Sequence, residues 1–302
     1  MTFITRFAPS PTGPLHLGHA YSAMLAHDMA MENGGTFLLR IEDIDQSRAR
    51  AHWEEQIYED LAWLGLTWDG PVMRQSDRMP HYEAVIDKLW DKDLLYPCHC
   101  NRRDIQDALA APQEGAPIIG PDGVVYPGTC RNKPRLPNHM TAVPTDCALR
   151  LDMAMACGTD IFERLIDAPE GGHDIAYFEE YGNGTDTPKG TISFTPEEIQ
   201  RTIGDVVLAR KGMGTSYHLS VVLDDAAQGI TDVVRGEDLF EATRIHVVLQ
   251  NLLDLPTPRY HHHKLIRDEN GKRLAKRDDA RAIVTYRAEG ATPEDIRAMV
   301  GL

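Results

Sequence analysis

Phe3 to Phe7 mixes apolar and polar positions with enough alternation to predict a short strand. Pro9, Pro11, Gly13 and Pro14 then break the pattern. From His19 onward Ala20, Ala23, Met24, Ala26, Met29 and Ala30 recur at helical spacing, and Thr36-Phe37-Leu38-Leu39-Arg40-Ile41 reads as a buried strand. Residues 3 to 41 therefore predict a βαβ unit, the building block of parallel sheets. Helical patterns follow at about 48–64 and 80–94. The stretch from Tyr96 to Pro144 is rich in Pro, Gly and Cys, which predicts a loop-heavy insertion held by something other than a core. Further along, Pro196–Leu208 reads as a helix, His218–Leu223 and Asp232–Arg235 as strands, and Glu241–Leu253 as a helix ending before Pro256. Residues 158–195, with Gly171-Gly172 and Gly182-Asn183-Gly184, yield no element.

The predicted architecture is an α/β fold with a parallel sheet divided by an insertion. Residues 1–95 and 196–260 form the two halves, 96–195 the inserted subdomain with its cysteine module at 96–135, and 261–302 a terminal region with a short helical stub.

Composition narrows the class. A 302-residue chain with 42% hydrophobic and 25% charged residues is that of a folded soluble protein. Its apolar runs fall short of the ~18 residues that span a membrane, and the N-terminus lacks a secretion signal, so we expect a cytoplasmic protein without a membrane partner. Five cysteines, odd in number and clustered, suit metal binding in a reducing compartment. The net charge of −15 opposes approach to a polyanion, so an RNA partner requires local basic patches. Arg102, Arg103, Arg131, Lys133 and Arg135 offer one, and Lys272, Arg273, Lys276 and Arg277 another; a solvated surface would look the same.

Candidate chemistry begins between the first strand and its helix, at Ala8-Pro9-Ser10-Pro11-Thr12-Gly13-Pro14-Leu15-His16-Leu17-Gly18-His19. Backbone N–H groups and the positive end of a helix at such a crossover bind phosphate. His16 and His19 suit triphosphate oxygens, and Gly18, lacking Cβ, lets a flat base approach the backbone. A proline-rich turn with two histidines is the bland alternative. A second lysine-rich stretch, Gly271-Lys272-Arg273-Leu274-Ala275-Lys276-Arg277, suits a mobile clamp on a leaving pyrophosphate.

The block from Arg6 to His19 resembles the first signature of class I aminoacyl-tRNA synthetases, in the form carried by the glutamate and glutamine branch. The second stretch resembles the lysine-rich signature of the same class, with Arg273 at the first lysine, Ala275 at the serine and Lys276 at the second lysine. This resemblance implies an ATP site at Pro9, His16, Gly18, His19, Arg273 and Lys276, with His16, His19 and Lys276 catalytic and Mg²⁺ accompanying ATP. A pocket selective for glutamate needs fixed cations for two carboxylates and an anion for the ammonium. Arg6, Ala8, Ser10, Glu42, Tyr217 and Arg235 match the glutamate-pocket positions of the family. The run His261–His263 corresponds to a family histidine pair and is read neither as a tag nor as a metal site.

The cysteine module contributes Cys98-His99-Cys100, then Tyr126 and Cys130. Zinc takes four ligands in a tetrahedron and can hold a module that has no core. Three cysteines leave a fourth ligand to find, and by residue type His99 or Cys147 would serve. The resemblance to the short glutamyl-queuosine branch of the group implies Tyr126 instead, giving a structural Zn²⁺ on Cys98, Cys100, Tyr126 and Cys130. Cys147 and Cys157 are assigned to packing.

The reaction this implies is a ligase's: activation of L-glutamate by ATP to the adenylate, then transfer to tRNA by a monomer. The chain stops about 25 residues past the lysine loop, short of an anticodon-binding part, which favours transfer to the queuosine of tRNA(Asp). The alternatives are a compact glutamyl-tRNA synthetase charging the 3′ end, a non-catalytic synthetase-like RNA-binding protein, and a cytidylyltransferase-type enzyme built on His-x-Gly-His.

Overall fold

The computed structural model describes residues 2–110, 118–158, 176–267 and 281–302. Strand Ile4–Phe7, helix Leu17–Glu32 and strand Thr36–Ile41 form the expected βαβ unit, with the strands parallel and Phe7 paired with Leu39. The helix buries Ala20, Ala23, Ala26 and Ala30, whose small side chains let it lie close on the sheet. Met73–Arg74 extends this half beyond Thr36–Ile41.

The other half is built from Asp232–Gly236 and Arg259–His263, paired in parallel along their full length. Ala176–Glu180 joins in parallel and Gly190–Phe194 closes the edge antiparallel. The two halves meet where the Thr231 amide donates to the Ile4 carbonyl (2.9 Å) and the Ile4 amide to Thr231 Oγ1 (2.8 Å). From this seam the chain winds outward in both directions, so the carboxyl ends of Ile4–Phe7 and Asp232–Gly236 flank a crevice. Val233 and Val234 point into two separate apolar cores on the two faces of the sheet.

Two segments depart from the reading of the sequence. His218–Leu223 lies in a helix, Tyr217–Ala227, and not in a strand. Every residue from His218 to Asp225 is buried, so no alternation or helical stripe marks the run; Ser216, whose Oγ accepts from the Leu219 amide, starts the helix. The helix predicted over Pro196–Leu208 ends at Thr202, because Gly204 turns the chain at φ +65°. Val207–Ala209 then becomes a strand and pairs antiparallel with Ala148–Leu151, which also pairs with Leu95–Cys98.

The segment read as loop-heavy carries the helix Arg102–Ala110 and a small hairpin, Ile119–Gly120 with Gly123–Val124. Residues 176–194, within the stretch that gave no element, supply the two strands that complete the second half-sheet. Among the described residues no helix is long and apolar enough to cross a membrane.

Candidate active site and cysteine cluster

The crevice at the seam is a cavity of about 440 Å³. Arg6, Ala8, Pro9 and Ser10 line it from the end of the first strand, and His16, Gly18 and His19 from the start of the first helix. Glu42, Tyr217 and Arg235 close its far side. Ten residues singled out from the sequence are thus brought to one place, while Arg273 and Lys276, and with them the basic stretch 272–277, lie outside the described residues.

At the nucleotide end the two histidines act as a helix cap. His16 Nδ1 accepts from the Gly18 amide and His19 Nδ1 from the His16 amide, each at 3.1 Å, in the reciprocal manner of a Ser/Glu capping box. With each Nδ1 accepting, the neutral ring carries its proton on Nε2. The ring centroids are 3.8 Å apart. The cap therefore presents a pair of ring donors beside the amides of a helix N-terminus, a combination suited to phosphate.

The side of the cavity around Arg6 and Glu42 is a network of buried charge. Arg6 clasps Asp225 through Nε (2.8 Å) and Nη2 (3.2 Å). Arg40, wholly buried, reaches the same carboxylate at 2.6 Å and Glu42 at 3.1 Å. Burial pushes the Asp225 carboxyl up, but Arg6 and Arg40 outweigh it and hold it at about 2. Burial also raises Glu42 and Tyr217, the former against the pull of Arg40 and Arg6.

Arg235 differs from both. Its Nε donates to His262 Nε2 (3.1 Å), Nη1 meets His246 Nδ1 (3.0 Å), and Nη2 donates to Thr243 Oγ1 (2.7 Å) and the Leu239 carbonyl (3.4 Å). These acceptors are all uncharged, and Glu180 is reached only through His262, whose Nδ1 lies 2.5 Å from it. A guanidinium buried at the cavity wall with neutral partners favours an anion in that cavity.

Arg40, Asp225, His246 and Glu180 were not singled out from the sequence, whereas His262 lies in the histidine run that matches a family pair. Arg40 sits in an otherwise apolar strand, which signals a buried charge that needs a partner, and Asp225 follows Asp224 at the end of an apolar run. The partner itself, 185 positions away, leaves no local trace. Asp224 is structural: it takes Gln75 Nε2 (2.8 Å), Arg78 Nε (2.6 Å) and the Tyr82 hydroxyl (2.8 Å). His261 lies 2.8 Å from Asp232 and His263 Nδ1 2.9 Å from the Lys264 carbonyl, while the buried His263 Nε2 has no hydrogen-bond partner among the described residues.

Away from the cavity the sulfurs of Cys98, Cys100 and Cys130 lie within 4.8 Å of one another, a group that could hold a metal ion. Tyr126 points its hydroxyl into the group, 3.4 Å from both Cys98 and Cys100 and 2.9 Å from the Cys130 amide. The donor set of three thiols and a phenol fits a thiophilic cation such as zinc. Burial lifts the Cys100 thiol to about 11, whereas at Cys130 hydrogen bonding from Tyr126 and the His99 amide overcomes burial and brings it down to about 6. Arg150 stacks on the Tyr126 ring at 3.8 Å and donates to Cys98 Sγ at 3.3 Å, supplying positive charge beside the donors. Cys147 and Cys157 are packed in the large core, and His99 does not enter the cluster. Arg102, Arg103, Lys133 and Arg135 are exposed around it, while Arg131 pairs with Asp205 at 2.7 Å.

Known proteins share these features. The family described as tRNA synthetases class I (E and Q), catalytic domain, matches residues 2–119 and 178–302. The glutamyl-Q tRNA(Asp) synthetase of Rhodobacter capsulatus is 61% identical over 299 residues, covering 99% of this chain and all of that one. That of Nocardia farcinica is 39% identical over 98% of this chain and 82% of its own length. Among solved structures, a glutamate tRNA ligase from Elizabethkingia meningosepticum, in complex with its amino acid, superposes with a TM-score of 0.72 at 27% identity. The glutamate-tRNA synthetase of Elizabethkingia anophelis gives 0.73 at 26%. Both superpositions take in the whole of this chain, which spans only 61% of the length of either ligase. The parallel sheet, the histidine-capped helix at its seam and these matches together place the chain in the class I tRNA synthetases of the E and Q group, within the glutamyl-Q tRNA(Asp) synthetase family.

Proposed function

We propose that this protein activates L-glutamate with ATP as glutamyl adenylate and transfers the glutamyl group to the queuosine base of tRNA(Asp). The observation that carries the reading is the buried guanidinium of Arg235 at the cavity wall, held by neutral acceptors and facing the histidine-capped helix start. A glutamate carboxylate supplies the missing negative charge. Arg6 and Tyr217, a protonated phenol, complete the donors, and Glu42 faces the ammonium.

In the reaction the glutamate α-carboxylate oxygen attacks the α-phosphorus of ATP, a new C–O–P linkage forms, and the bond to pyrophosphate breaks. His16 and His19, through their Nε2 protons, and Lys276 with Arg273 stabilise charge on the phosphates, and Mg²⁺ accompanies the triphosphate. The side chains contribute placement and fixed charge and need transfer no proton in this step. Structural Zn²⁺ on Cys98, Cys100, Tyr126 and Cys130 would cross-link the module when bound. The insertion 96–195 with its exposed basic residues faces the RNA, and the enzyme acts in the cytoplasm as a monomer.

Glutamate transfer to purified tRNA(Asp), with and without queuosine and alongside tRNA(Glu), tests the proposal. We expect label that requires queuosine and is recovered in the anticodon fragment, not at the 3′ end, after nuclease digestion of the tRNA. Label on tRNA(Glu) would establish a compact charging enzyme instead, and absence of glutamate-dependent pyrophosphate exchange would leave a non-catalytic relative.

A further inference from the structure

Behind Arg235 runs a chain of hydrogen bonds that reaches the protein surface. His246 Nδ1 meets the guanidinium at 3.0 Å, and His246 Nε2 lies 3.1 Å from His218 Nδ1. His218 Nε2 lies 3.0 Å from both carboxylate oxygens of Asp122, in the turn of the hairpin formed by Ile119–Gly120 and Gly123–Val124. His218 and His246 are buried, whereas the Asp122 side chain is 57% exposed.

The direction of every bond is fixed by one fact: a guanidinium only donates. His246 Nδ1 must accept, so its proton is on Nε2 and is donated to His218 Nδ1. His218 then carries its proton on Nε2 and gives it to the Asp122 carboxylate. On the opposite side Arg235 Nε makes His262 Nε2 an acceptor, and the proton on His262 Nδ1 goes to Glu180. Both branches thus end on a carboxylate, and the guanidinium between them has a single consistent set of partners. Removing Asp122 leaves the His218 Nε2–H without its acceptor. His218 can then take the other tautomer or rotate, and the hydrogen bond that holds the His246 ring on that side is lost.

We infer that Asp122 is a positioning residue, which through His218 and His246 fixes the Arg235 guanidinium for its ligand and makes amino-acid affinity depend on a hairpin of the inserted segment. The inference rests on the reading of the cavity as a glutamate site. It concerns residues that touch neither glutamate nor ATP.

Glutamate-dependent pyrophosphate exchange should show Asp122→Ala raising KM for glutamate about tenfold, the scale of one charge-assisted hydrogen bond, with kcat and KM for ATP within about twofold of wild type. Asp122→Asn, whose amide oxygen still accepts from His218, should stay within about threefold of wild type. The second readout is the ¹⁵N spectrum of the histidine rings, which should show Nε2–H tautomers for His218 and His246 and Nδ1–H for His262; in Asp122→Ala the His218 tautomer should be lost, while His246, whose Nδ1 still accepts from Arg235, keeps its own. An unchanged glutamate KM in Asp122→Ala, with the wild type active, overturns the inference. If the wild type shows no glutamate-dependent exchange, the functional reading fails instead. The ring spectra then decide the relay alone: His218 keeping its Nε2–H tautomer in Asp122→Ala refutes it, and losing it supports it.

Discussion

The amino-acid end of the cavity and the cysteine cluster are both polar and both withdrawn from water, yet they are stabilised in opposite ways. In the first, Arg6, Arg40, Asp225, Glu42 and Arg235 come from distant parts of the chain, and each charge but that of Arg235 meets an opposite charge. Protein partners fix this site before any ligand arrives. In the second, four donors from residues 98–130 converge beside a small core of Tyr96, Cys98, Tyr126 and Cys130. Thiols that ionise there repel one another, and a cation held between them would offset that repulsion. Preorganisation by internal ion pairs suits a site that must bind and release a substrate; a bound ion suits one that only has to stay folded.

The largest expected effect follows from the second site. Cys130→Ser, or stripping metal with a strong chelator, should take zinc from about one per chain to none and expose the 96–145 segment to protease, because structural zinc contributes ~10 kcal/mol or more to such modules. Metal analysis and limited proteolysis would check this. A module that stays resistant without metal would erase the contrast drawn above.

Asp225→Ala should be the most damaging change at the cavity, since it leaves Arg6 and Arg40 buried without their shared carboxylate. Breaking a buried pair in this way costs about 3–5 kcal/mol, to be read from urea unfolding. Arg235→Ala should affect stability less and function more: about 2–4 kcal/mol of lost transition-state binding, seen as a fall of roughly 30- to 1,000-fold in kcat/KM for glutamate with ATP affinity retained.

The smallest effect is on acid stability. Burial, with the positive charge of Arg235, lowers both His246 and His262, and His262 falls to about 4. For a histidine depressed on folding, the unfolded chain binds the proton more readily. The stabilisation is thus fully present above about pH 6.5 and is lost as pH falls toward 4, at most about 3 kcal/mol for His262. Unfolding midpoints between pH 7 and 4 should show this slope, and His262→Asn should flatten it.

Periodicity gave the opening unit directly, because the apolar positions in Phe3–Phe7 and Thr36–Ile41 bury one strand each and the helix between them has its own spacing. It failed at Tyr217–Ala227, where burial on all sides erases the stripe, and at Val207–Ala209, whose strand exists only because Ala148–Leu151 lies beside it. In the cavity, short motifs marked residues that line it, such as His16, His19 and Glu42. The residues that hold them were silent. Arg40 reads as one charge in a strand until Asp225 is brought to it, and Asp122 reads as a turn residue until the hairpin meets His218.

What the sequence determined by itself is local: which stretches bury an apolar face, and where the helix cap and its histidines fall. Local spacing suffices there, because the groups act within one turn of helix or one loop. Tertiary structure alone decided that two parallel half-sheets join at Ile4 and Thr231, and that Arg235 lacks an opposite charge while Arg6 and Arg40 do not. Those properties depend on distances between residues up to 227 positions apart, and electrostatic energy is set by separation in space.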